Sequence, residues 1–181
     1  PEIIFSKGTS LIVEPGGIIR LEDNTKLIID EGSILQFSQG TIIELNGENA
    51  VLEIRGNLVL MADANFKTVG NGFVRFNIPT VNNSPNITVN GNNCQMLFES
   101  TNIGDKKIEV SSNTNLYPPS NLKLFKLENS TAHLGVKAGI FLPCDFHIVG
   151  NTITRIPNLV DNSISGGGTR IHNGITIYAI S

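Results

Sequence analysis

Four residues in the second half of the chain stand at spacings that could let them act together. Glu99, Lys123, His147 and Arg170 follow one another at intervals of 24, 24 and 23 residues. Three of them sit in the middle of short triplets, Leu-Lys-Leu, Phe-His-Ile and Thr-Arg-Ile. In an extended strand such a middle residue points away from its two neighbours. A chain that coils once every ~24 residues would stack the four into a ladder on an outer wall. A ladder of that kind suits the carboxylates or sulfates of an acidic glycan. Arg170 would offer a bidentate fork, and His147 would titrate near neutrality. The plainer reading is a solvated face with incidental charges.

Other chemistry is less well supported. Glycoside hydrolysis usually needs two carboxyl groups at a set separation. Glu22-Asp23 and Asp30-Glu31 are adjacent acids, but both lie in turn segments. Asp145 falls on the other side of its strand from His147, and Asp161 falls in a loop. Gly166-Gly167-Gly168 lacks the Lys-Ser/Thr that would make it a phosphate cradle, so it reads as a corner. Cys94 and Cys144 are 50 residues apart with no CxxC. They read as buried thiols, with a disulfide or a ligand role as the other readings. No cofactor is expected; calcium stays open as a ligand, though no motif supports it, and no other metal is expected. Asn82, Asn86 and Asn129 stand in N-x-S/T sequons, which matter only in a eukaryotic secreted protein.

The elements that must position these residues are visible as a repeat. Apolar–variable–apolar units begin at 11, 19, 27, 35, 43, 52 and 58, for example Leu27-Ile28-Ile29, Leu35-Gln36-Phe37 and Ile43-Glu44-Leu45. Between them lie Gly, Asn and Asp segments such as Glu14-Pro15-Gly16-Gly17 and Asn46-Gly47-Glu48-Asn49, which turn the chain. Strands this short and this frequent suit a solenoid, in which each coil covers its neighbour. A lag of about 24 sets Arg20 beside Glu44 and Glu53 beside Arg75 at the ~4.8 Å strand spacing. A lag of about 16 loses those pairs. Three strands per coil is the expectation.

The repeat resembles a right-handed parallel β-helix, the architecture of the pectate-lyase-like superfamily. The fold expected is all-β: a right-handed parallel β-helix, a solenoid with about three short strands per coil. It is expected as a single domain over 1–181, regular over 8–76, with longer loops over 77–181, and as part of a larger protein. What the resemblance implies is polysaccharide binding. An enzyme of this design would be a polysaccharide lyase or glycoside hydrolase. The aspartate cluster and arginine base of the lyases have no counterpart here, nor have the Asp-Asp and Gly-His-Gly elements of polygalacturonases.

The composition narrows the partners. The chain has 22 Asn, 24 Ile and no Trp, and its 13 basic and 16 acidic residues leave a net charge of −3. Nucleic-acid binders carry a basic footprint that this chain lacks. No apolar run is long enough for a membrane helix, so membrane insertion is not expected. Open solenoid ends invite end-to-end or oligomeric association. The expected function is an extracellular or cell-surface β-helix that binds polysaccharide, acidic if the ladder is the site. The alternative is a non-catalytic structural or adhesive segment of a surface protein or phage fibre.

Overall fold

A computed structural model describes residues 1–78, 86–100, 105–135 and 138–142, and the strand segments 146–149, 153–156, 163–166, 169–171 and 176–179. Side chains are described up to residue 140, apart from Thr131 and the gaps between those segments. The chain winds in coils of three strands. The first coil holds β1 (Glu2–Phe5), β2 (Ser10–Ile12) and β3 (Ile18–Glu22), and the second β4 (Lys26–Ile29), β5 (Ile34–Phe37) and β6 (Ile42–Asn46). The third holds β7 (Val51–Ile54), β8 (Asn57–Met61) and β9 (Asn65–Val69), and the fourth β10 (Phe73–Phe76), β11 (Ile87–Asn90) and β12 (Gln95–Glu99). Then come β13 (Lys106–Val110), β14 (Asn115–Leu116) and β15 (Leu124–Glu128), followed by β16 (Thr131–Leu134), β17 (Gly139–Leu142) and β18 (Phe146–Val149). The last strands are β19 (Ile153–Ile156), β20 (Ser163–Gly166), β21 (Thr169–Ile171) and β22 (Thr176–Ala179).

Every third strand pairs in parallel. The first wall runs β1-β4-β7-β10-β13-β16-β19-β22, and the third runs β3 through β21 in the same steps. The second wall is divided into β2-β5-β8-β11 and β14-β17-β20. This is a parallel β-helix with three strands per coil. Arg20 and Glu44 are register partners, as are Glu53 and Arg75, so the charge pattern did report the coil length.

Stacking buries what a single coil cannot. Ile3 of the first coil is 49% exposed, while its register partner Leu27 is 4% exposed. The row continues through Leu52, Val74, Ile108 and Ala132, all fully buried. Burying each large side chain of this kind contributes about 1.5–3 kcal/mol. Phe rings stack along the interior. Phe37 and Phe66 lie 5.2 Å apart, Phe66 and Phe98 6.1 Å, and Phe98 and Phe125 5.2 Å between centroids.

The corners need backbone shapes that few residues tolerate. Asn24, Asp63, Asn93, Asn113 and Asn129 all adopt positive φ, as Asn and Asp do most readily outside Gly. Gly70 has φ +89°, and a Cβ there would collide with the carbonyl of Leu45 in the coil below. Only Gly meets both demands.

Lys123 departs from the sequence expectation. The stretch Leu122–Leu127 reads Leu-Lys-Leu-Phe-Lys-Leu, which offers two equivalent strand phases. The fold uses the second: Phe125 and Leu127 point inward over Met96 and Phe98, and Lys126 is the residue between them. The large Phe125 ring reaches Phe98, which a strand centred on Lys123 would forgo. Lys123 is exposed and precedes β15, its amide donating to the carbonyl of Cys94.

Candidate functional site

Glu99, His147 and Arg170 lie in strands of the third wall and Lys123 just before one, and the four do not share one register position. His147 is opposite Arg170, as the spacing implies. The residue opposite His147 on the other side is Lys126. Lys126 in turn pairs with Leu97, and Leu97 with Lys67. Glu99 occupies the next outward position and pairs with Glu128. One register position therefore carries Lys126, His147 and Arg170 in three successive coils, about 4.8 Å apart. The side chains of His147 and Arg170 lie outside the described residues.

At its near end this wall is charge-balanced. Lys67 and Lys126 each bring Nζ within 3.3 Å of Glu99, and Lys126 Nζ is 2.8 Å from Glu128. The Glu128 hydrogen bond is the main influence holding the Lys126 ammonium protonated above the usual lysine range. Glu99 is thus a counter-ion that fixes two lysines. It does not act as an isolated acid.

A second constellation lies on the first wall, and the sequence reading caught only its Glu53–Arg75 step. Arg75 Nη1 donates to Glu53 Oε1 at 3.0 Å, and Arg75 Nε donates to Glu109. Lys106 Nζ reaches Glu109 Oε1 at 2.7 Å. Arg55 Nε donates to Glu53 and its Nη1 lies 3.7 Å from Asp30. Three acids and three bases alternate along one face. Phe73 adds a platform, with Lys106 Nζ 3.9 Å and the Arg75 guanidinium carbon 5.4 Å from its ring centre.

Burial of Glu53, only 2% exposed, pushes its carboxyl up, but hydrogen bonds from Arg75 and Arg55 outweigh that and hold it below the ordinary range. Glu109 behaves alike, with Lys106 and Arg75 as donors. Both carboxylates are ionised at neutral pH.

A shallow depression of about 450 Å³ opens at the C-terminal end of β13 and β16. Glu109, Ser111, Ser112, His133 and Gly135 line it, with Val110 and Leu134. It is within the range of small-ligand clefts. Glu109 and His133 are register partners, and Arg155 and Tyr178 hold the same position in the next two coils.

Other candidates resolve simply. Cys94 is a buried free thiol donating to the carbonyl of Met61 at 3.0 Å. Desolvation pushes its thiol up, away from nucleophilic use. Cys144 lies outside the described residues. Asn86 is 5% exposed, and its side chain is engaged with Asn115 and Tyr117, so the sequon there is not presented to a glycosylating enzyme in the folded chain. Among the described residues no group of three or more His, Cys, Asp or Glu is arranged to hold a metal.

Comparison with protein-family models, curated proteins and solved structures found no match. The parallel β-helix therefore rests on the strand order and register themselves.

Proposed function

We propose that this β-helix is an extracellular or cell-surface module that binds acidic polysaccharide along its third wall. The observation that carries the reading is the register: Lys126, His147 and Arg170 occupy one position in three consecutive coils. A glycan chain lying across the strands would meet one such residue per coil, and an arginine favours carboxylate or sulfate groups. The repeat's resemblance to pectate-lyase-like proteins supports a polysaccharide as the ligand class.

The reading is binding. On the first wall, Glu53 and Glu109 flank Arg75 and both are held ionised by their cations, so neither is the neutral acid that glycoside hydrolysis needs.

The test is titration with polygalacturonate and heparin at two salt concentrations. Binding that weakens with salt and is lost in Lys126→Ala/Arg170→Ala supports the wall. Unchanged affinity in a folded double variant removes it. Lys123→Ala, outside the strand, should matter less than Lys126→Ala.

A further inference from the structure

We infer, on the acidic-glycan reading of the third wall, that Glu99 and Glu128 close the near end of that wall and so set the length of glycan it accepts.

The row that carries Lys126 continues toward the start of the chain. Lys126 is the register partner of Leu97, and Leu97 of Lys67. The two lysines are therefore about 9.6 Å apart, two strand spacings, with the half-buried Leu97 between them. By spacing alone, a glycan laid across the strands would run on from Lys126 over Leu97 to Lys67. One ligand would then span every coil from Lys67 to Arg170.

Two acids beside the row oppose that. Glu99 stands two residues after Leu97 on β12 and shares its outward face. Each of its oxygens holds one lysine: Oε2 is 3.3 Å from Lys67 Nζ, and Oε1 is 3.3 Å from Lys126 Nζ. Glu128, the register partner of Glu99, puts Oε2 2.8 Å from Lys126 Nζ. Two ammonium groups thus face two carboxylates, and their charges cancel.

The donors are also committed. An ammonium has three N–H groups. Lys126 directs one to each acid, which leaves one. An incoming carboxylate or sulfate gains that donor and meets Glu99 and Glu128 at close range. To gain more it must displace a carboxylate that already makes the same kind of charge-assisted bond, so the exchange is near neutral. Lys126 still matters to binding, because without it both acids would face the ligand with Lys67 as their cation. Beyond Lys126 toward Lys67, a longer glycan gains little.

The four side chains are 23–47% exposed. Ion pairs at such exposure contribute little to stability. The acids can therefore be made amides without loss of the fold, and Gln keeps the shape of Glu.

The experiment is calorimetric titration of the full chain with oligogalacturonates and heparin oligosaccharides of two to eight sugars. The parent should bind at least one series, with affinity levelling at about three sugars, one for each coil from Lys126 to Arg170. Glu99→Gln/Glu128→Gln should bind the same series about tenfold tighter, the gain from about one added charge-assisted hydrogen bond. Its affinity should level at about five sugars, one for each coil from Lys67. Glu14→Gln/Glu48→Gln removes two exposed acids outside the strands and makes the same change in net charge. It should bind as the parent does. A parent that binds while Glu99→Gln/Glu128→Gln binds no tighter, or levels at the same length, overturns the inference and leaves the reading of the wall standing. An equal gain in Glu14→Gln/Glu48→Gln overturns it too, since bulk charge would then be the cause. Silence of the parent and Glu99→Gln/Glu128→Gln toward both series overturns the acidic-glycan reading and the inference with it.

Discussion

Asn86 Nδ2 donates to the main-chain carbonyl of Asn115 at 2.7 Å, at the step where the second wall divides into two sheets. Asn86 Oδ1 also accepts from the amide of Tyr117 at 3.3 Å, and Asn121 Nδ2 caps the carbonyl of Val89 at 2.9 Å. Side-chain amides here do the work of a missing strand ladder. The division falls where the coil lengthens: Arg75 and Glu109 are adjacent in space but 34 residues apart, against 24 for Arg20 and Glu44.

Asn86→Ala should cost about 1 kcal/mol, because it removes two part-buried hydrogen bonds to the main chain. Asn86→Asp should cost about as much, since it removes the donor. Urea denaturation of both variants reads this directly. A loss well under 0.5 kcal/mol in either would mean water replaces the splice without penalty.

The folded pKa values of Glu53 and Glu109 are depressed, so acid should loosen the first wall. Their stabilisation is complete above the ordinary glutamate value of about 4.3 and is lost as pH falls through the lower folded values. Melting temperature should stay level from pH 7 to 5 on this account and drop below pH 4. Glu53→Gln should lower it at pH 7 and shrink the acid drop. An acid profile identical in Glu53→Gln would place the acid sensitivity elsewhere.

Phe66 touches Phe37, Phe76 and Phe98 in the interior. Phe66→Ala should cost about 3–5 kcal/mol, the usual penalty for emptying a core aromatic. Denaturant midpoints measure it, with Phe66→Leu expected to retain much of the loss.

Cys94 should resist alkylation in the folded protein, since it is buried and its thiolate is disfavoured. Peptide mapping after iodoacetamide treatment should find Cys94 labelled only once denaturant unfolds the chain. Rapid native labelling would contradict its burial.

Where inward residues were bulky, the fold could be read from the chain. Leu35-Gln36-Phe37 and Ile43-Glu44-Leu45 are strands with the faces their alternation implies, and Arg20–Glu44 revealed the coil length. β9 and β16 escaped because one inward position holds Thr68 and the other Ala132, which carry little hydrophobic signal. Lys126 was hidden by a doubled triplet, whose phase is set by how Phe125 stacks on a ring a coil away. The Asp30 to Lys106 charge network could not be followed past Arg75. The irregular 34-residue step to Glu109 breaks any fixed lag.

The central claim is that the third wall of this β-helix binds acidic glycan chains. Probing the full chain against a broad glycan array, with and without calcium, tests it most directly. The account predicts binding to acidic polysaccharides that is independent of calcium and is lost in Lys126→Ala/Arg170→Ala. A parent chain that is silent across acidic and neutral glycans alike would contradict it and leave a stiff structural segment as the reading.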